Sequence, residues 1–323
     1  MARFIEWTLA KGLAEQTANI RRSALAHFIR WCDARQVADP CKISKAMLEE
    51  YQSHLYRYRK ANGNPLALTT QATRLHPLRA FCRWLARESL VPSDPSRDLE
   101  MPRLPRRLPR WVPSVGDVRR ILAQPDTQTP AGLRDRAILE VLYSTAVRRM
   151  ELVRLQEFDM DLAGGVLTVR GGKGGHDRVV PLGARAAKWL ATYVRRVRPL
   201  LAGPDRSSVL FLTDYGEPFD KNRLGDLVRR YVSRLQVGAP GACHLFRHAC
   251  ATHMLENGAD IRFIQVMLGH ADLSTTQIYT RVSIAKLKKV HGATHPGAGS
   301  NRRGRHPVAR GVEPAGGRST SAQ

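Results

Sequence analysis

Apolar residues recur at helical spacing through the first hundred positions. Ile20, Ala24, Phe28 and Trp31 share one face of a 3.6-residue period, as do Leu48, Tyr51, Leu55 and Tyr58, the second set preceded by Ser44 as an N-cap. A third run, Leu68, Ala72, Leu75, Leu78, Cys82 and Leu85, contains Pro77. Proline removes a backbone donor and clashes with the preceding turn, so this helix is expected to kink or break there. The pattern predicts a bundle of about four short helices, without a catalytic cluster. Beyond residue 110 the period becomes mixed. Ser114-x-x-Asp117 is a capping-box-like start before Val118, Ile121 and Leu122, and a helix over Leu133–Tyr143 follows. Val166–Arg170 and Arg178–Pro181 flank a glycine-rich turn and predict a β-hairpin, and Val209–Thr213 predicts another short strand. Leu224, Leu227, Val228, Tyr231 and Leu235 form an amphipathic helix. Leu245–Asn257 is helical and closed by Gly258; Asp260 caps Ile261–Leu268, closed by Gly269. Ser274-x-x-Gln277 opens a last helix with Tyr279 in its second turn. The fold class expected is mainly α with a small β-sheet.

Two breaks divide the chain. Met101–Pro113 has four prolines and four arginines and predicts an extended basic linker. After Val290 the chain is rich in Gly, Arg, Pro and Ser, with almost no large apolar residue, and is expected to be disordered. The layout is thus a helical domain over 1–100, a linker over 101–113, a mixed domain over 114–290 and a basic tail over 291–323.

Charge narrows the function. The 323 residues include 52 Lys and Arg against 28 Asp and Glu, a formal net charge of +24. Such an excess concentrates polyanions at the surface. Residues 1–110 hold 20 basic and 10 acidic residues, 111–290 hold 27 and 17, and 291–323 hold 5 and 1. Both folded parts are therefore expected to touch the polyanion. No apolar stretch reaches the ~18 residues of a membrane span, and the charged N-terminus lacks the apolar core of a secretory signal. The five cysteines are odd in number and contain no C-x-x-C, which fits reduced thiols of a cytoplasmic protein.

Several local motifs carry candidate chemistry. His244 and His248 in HLFRH share the i, i+4 spacing of two zinc ligands, but Leu245 stands where a metalloprotease needs Glu, and His253 falls on another face. Surface or capping histidines are the competing reading. Gly171–Gly175, GGKGG, lacks the Ser or Thr and the following helix of a P-loop; it reads either as an ordinary hairpin tip or as a tip that swings Lys173 into a phosphate-bearing groove. Arg148 and Arg149 sit at a helix–turn–helix junction, and Leu268–Thr280 offers His270 and Tyr279. Each alone is ordinary: a solvated arginine pair, a packed tyrosine.

Taken in order, Arg148, Lys173 in a hairpin, His244-x-x-Arg247, Gly269-His270 and Tyr279 nine residues later resemble the signature of the tyrosine recombinase (phage integrase) family. The resemblance extends over both domains: 1–100 is similar to a SAM-like core-binding domain and 114–290 to the catalytic domain, in the simple layout of the Xer branch. Departures are modest. Thr145-Ala146-Val147-Arg148 replaces the common T-G-L-R, Met150 replaces a small polar residue, and His244-Leu245-Phe246-Arg247-His248 stands for H-x-L-R-H. None touches a catalytic side chain.

The resemblance implies a site-specific DNA recombinase that cuts and rejoins duplex DNA through a 3′-phosphotyrosine, without metal, ATP or other cofactor. It implies Tyr279 as nucleophile, Arg148 and Arg247 as clamps on the phosphate, His244 as proton acceptor, Lys173 as general acid and His270 as a hydrogen-bond donor, with Glu151 and His248 in support. Its partners are a double-stranded DNA recombination site and a homo- or hetero-tetramer on two such sites, with no membrane. Val282–Val290 is expected to dock on a neighbouring subunit, its competing reading being packing on its own domain. The competing functions are a catalytically idle DNA-binding accessory protein of this fold and a type IB topoisomerase-like enzyme.

Overall fold

A computed structural model of the chain describes residues 1–104, 111–172, 176–203, 207–235 and 243–269. The chain divides between residues 106 and 107 into two compact units. It is mostly helical with one small sheet, and among the described residues no helix is long and apolar enough to cross a membrane.

The first unit contains α1 (Ala2–Ala10), α2 (Glu15–Asp33), α3 (Lys45–Arg57) and α4 (Leu68–Arg87). Its core is aromatic: Phe4 meets Phe81 edge-on at 5.3 Å between ring centroids, and Phe28 meets Tyr51 at 5.0 Å. Such pairs contribute about 0.5–1.5 kcal/mol beyond their area. Ser44 caps α3 as expected, its Oγ accepting from the Met47 amide. Three expectations shift. Ile20 is 41% exposed, because the buried stripe of α2 is centred near Phe28 and leaves Ile20 at its edge. Tyr58 lies past the end of α3, in an extended conformation and largely exposed. Pro77 does not break α4, which runs unbroken across it. Leu75, Leu78, Phe81 and Cys82 are buried around it, at roughly 1.5–3 kcal/mol for a large apolar side chain, which outweighs the proline penalty of about 3 kcal/mol.

The second unit begins with α5 (Val115–Leu122), α6 (Pro130–Thr145) and α7 (Arg149–Arg154). The reciprocal Ser114–Asp117 capping box opens α5, with both side-chain-to-backbone bonds formed. Strands β1 (Met160–Asp161), β2 (Val166–Val169) and β3 (Arg178–Pro181) form an antiparallel sheet in that order, with Leu167 opposite Val180 and Val169 opposite Arg178. The predicted hairpin is thus present. Helices α8 (Ala184–Arg196), α9 (Arg198–Leu201), α10 (Lys221–Ser233), α11 (Cys243–Glu256) and α12 (Ile261–Leu268) follow. α8 goes beyond the expected elements, although Ala186, Leu190 and Tyr193 bury one face of it at helical spacing. Val209–Thr213 makes only isolated bridges rather than a strand. Leu210, Phe211 and Leu212 are fully buried, and the buried Arg198 guanidinium donates to the Val209 and Leu210 carbonyls, taking acceptors that a neighbouring strand would need. The Ser274–Gln277 box, the Tyr279 helix, the Val282–Val290 stripe and the tail lie outside the described residues.

Candidate active site

α6 ends in a left-handed turn at Ala146, φ 52°, which sends the chain into α7 with Arg148 as its N-cap residue. Glu151, one turn later, folds back on that junction. Its carboxylate accepts from the Arg148 amide at 2.7 Å and from the Arg148 guanidinium at 2.8 Å. It also receives a two-pronged contact from Arg178, at 3.0 and 2.7 Å. Glu151 is 7% exposed. Burial by itself raises a carboxyl pKa, but hydrogen bonds and charge from Arg178 and Arg148 outweigh it and hold Glu151 at about 2. It is a carboxylate at any working pH, and it is fully used in holding two cations.

A helix leaves its last carbonyls without intrahelical partners. In α12 the Gly269 amide takes those of Gln265 and Val266. The next three are each taken by a guanidinium from a different part of the unit. Arg178 donates to Met267 at 3.0 Å, Arg247 to Leu268 at 2.6 Å and Arg148 to Gly269 at 3.1 Å. Arg247 also donates to the Ala146 carbonyl at 2.7 Å, tying α11 to the turn before Arg148. The C-terminal end of α12 is therefore a rack that brings three positive charges together at its negative pole. Gly269 fits it for two reasons: its φ is +59°, and a Cβ there would lie 3.1 Å from the Arg178 side chain.

His244 lies in the first turn of α11, open to solvent at its edge. Desolvation, then the charges of Arg247, Arg149 and Arg148, lower its pKa, which keeps the imidazole neutral and able to accept a proton. His248, one turn on and partly buried, is lowered by burial and by the neighbouring His244 and Arg247. Cys243 next to His244 offers no rival nucleophile, since burial raises its thiol to about 11. His253 has a different role: it bonds Tyr143 Oη through Nδ1 at 3.0 Å and the Pro113 carbonyl through Nε2 at 2.9 Å. That tie anchors the start of the unit, away from any metal-like pairing with His248. Among the described residues no group of three His, Cys, Asp or Glu side chains gathers as a metal site.

Of the expected residues, Arg148, Glu151, Arg247 and His244 come together, with His248 beside them. Lys173, His270 and Tyr279 lie outside the described residues. Arg178 is the member the motifs do not name. Its only sequence signal is a basic residue opening the second hairpin strand, 27 positions from the carboxylate it meets.

The Phage integrase family model matches residues 114–286. Tyrosine recombinase XerC 2 of Ralstonia nicotianae is 48% identical over 296 residues, covering 92% of this chain and 85% of that protein. Tyrosine recombinase XerD of Vibrio cholerae is 39% identical over 289 residues, covering 89% and 93%. Among solved structures, the XerA recombinase is similar with TM-score 0.52 and 27% identity, covering 91% of this chain and 98% of that one. XerH bound to its difH substrate shares the fold at TM-score 0.69 and 20% identity, covering 88% and 81%.

Proposed function

Since the chain belongs to the phage integrase family and is a tyrosine-type site-specific DNA recombinase, we propose that Tyr279 cleaves each strand of duplex DNA and that Arg148 and Arg247 hold the phosphate while it does so. The Tyr279 hydroxyl oxygen attacks phosphorus and the bond to the 5′-oxygen breaks. A 3′-phosphotyrosine and a free 5′-hydroxyl result. The tyrosine proton goes to His244, and Lys173 gives its proton to the departing 5′-oxygen. The ester keeps the bond energy, so a 5′-hydroxyl from a partner strand reverses the step and rejoins the DNA without ATP.

One observation supports this reading above others: Arg148 and Arg247 stand side by side on the carbonyls of Gly269 and Leu268. A phosphorane transition state gathers negative charge on its non-bridging oxygens, and two fixed guanidinium forks match that geometry where lysines would not. The same Gly269 carbonyl lies one residue before His270 and ten before Tyr279, so the rack that holds the cations also leads into the nucleophile segment. His270 donates a further hydrogen bond to the phosphate, and His248 supports His244. The partner is a double-stranded recombination site in the cytoplasm, gripped by both units and brought together with a second site by four subunits. Residues 282–290 supply the docking segment between neighbours.

A nicked suicide substrate tests the chemistry. Wild-type protein is expected to accumulate a covalent adduct that survives denaturation, and Tyr279→Phe to form none. Wild-type protein that binds its site but never forms the adduct would favour an idle accessory protein. Relaxation of supercoiled plasmid by single molecules, without exchange between sites, would favour a topoisomerase.

A further inference from the structure

Arg149, the residue next to the first candidate clamp, has no role in the scheme above. Its side chain is half-buried, and among the described residues it makes no ion pair or hydrogen bond. It extends to α10, where its guanidinium lies 3.0 Å from the point at which a Cβ on Gly225 would stand. Gly225 occupies the middle of α10 and is buried, a position where glycine costs about 1 kcal/mol relative to alanine. What the missing methyl leaves is room for the Arg149 head group. A second guanidinium, Arg229, closes on the same spot at 4.0 Å and is itself paired to Asp226. On the other side Arg149 is near enough to His244 and Cys243 for its charge to act on both.

A half-buried arginine beside a second arginine and a histidine is held against its own electrostatics. Such a charge is costly until an anion joins it. The neighbouring cations make an anion the fitting partner, and the adjacency to Arg148 and His244 places it at the reacting DNA strand. We propose that Arg149, seated in the notch at Gly225, binds a DNA backbone phosphate flanking the scissile one and so fixes the strand's register before cleavage. This rests on the DNA-cleaving reading above. Arg149 is a positioning residue: it holds the strand and does not touch the reacting atoms.

The test compares wild type, Arg149→Gln and Gly225→Ala by binding and single-turnover cleavage. The duplexes carry either normal phosphates or one uncharged methylphosphonate at each flanking position in turn. Arg149→Gln is expected to bind about 10-fold more weakly and to lower the magnitude of the log K against log salt slope by about 0.9. One particular methylphosphonate should weaken the wild type by a similar factor and leave Arg149→Gln unchanged, since the two changes remove the same contact. Gly225→Ala strengthens α10 while crowding the Arg149 head, so it is expected to weaken DNA binding without lowering the melting temperature; it keeps the question answerable if Arg149→Gln folds poorly. Full additivity at every phosphate, or a Gly225→Ala protein that binds like the wild type, overturns the assignment. In either case a wild type that still forms its covalent adduct leaves the recombinase reading intact, whereas loss of that adduct points to the reading itself.

Discussion

At the scale of single residues, Glu151 is a buried charge committed to holding two arginines in place. Its two oxygens accept from the Arg148 amide and from the Arg148 and Arg178 side chains. Removing one partner of such a buried pair leaves the others uncompensated, at about 3–5 kcal/mol. Glu151→Gln is expected to lower the melting temperature by roughly 6–12 °C, as a loss of about 3 kcal/mol does in a domain of this size. Cleavage should slow by about 10²-fold, the usual effect of a misplaced catalytic group. The pH dependence follows from the same contacts. Glu151 is held at about 2 against an ordinary 4.5, so its stabilisation is complete above pH 4.5 and is lost as pH falls towards 2. Acid unfolding followed by circular dichroism should lose that part of its slope in Glu151→Gln. An unchanged acid limb would mean that the carboxylate is not the group responsible. Arg148 and Glu151 are legible in the sequence only through the family resemblance, whose motif places an acidic residue three positions after the first arginine. Arg178 is not, because its partners are 27 and 89 positions away and only the fold brings them together.

Elements differ in how openly the sequence declares them, and the difference follows the range of the forces involved. Ser114, Ser44 and Asp260 cap helices through bonds that span two or three residues, so the chain states them directly. Val209–Thr213 has the composition of a strand, yet its Val209 and Leu210 carbonyls go to Arg198, a choice that no local pattern encodes. The end of α12 combines both cases. Its Gly269 stop was plain from the sequence; the three arginines on its last carbonyls were not. Gly269→Ala is expected to lose about 1–2 kcal/mol from the left-handed φ alone, and further from the Cβ crowding Arg178. A thermal melt should show a drop of roughly 2–8 °C. Cleavage should fall by more than that destabilisation accounts for at a temperature where the variant is fully folded, because Arg148 shares the displaced carbonyl. Equal losses in stability and rate would show the glycine to be a helix stop and nothing more.

For the whole molecule, the net charge of +24 marks a polyanion-binding protein but says nothing of where the grip lies. The structure separates cations with fixed partners from the rest. Arg134, Arg148, Arg178 and Arg198 are buried or half-buried and committed to carboxylates or carbonyls. Lys60 and Arg83 in the first unit stand exposed, and residues 1–110 and 111–290 each carry ten more basic than acidic residues. If the folded units hold the DNA, the basic tail is an addition to binding and not its source. Residues 291–323 contain 5 of the 52 basic residues. Counterion release is about 0.9 per neutralised phosphate, so deleting them can reduce the magnitude of the salt slope by at most about 4.5. We expect the shortened protein to lose affinity equally for cognate and unrelated duplexes, since phosphate contacts carry no sequence information. The ratio between the two affinities should hold, as should the yield of covalent adduct at low salt. Binding measured over 50 to 300 mM salt on both duplexes decides it. A slope that collapses towards zero on deletion would place the grip in the tail, and would leave the spread of charge over the two units without a role in holding DNA.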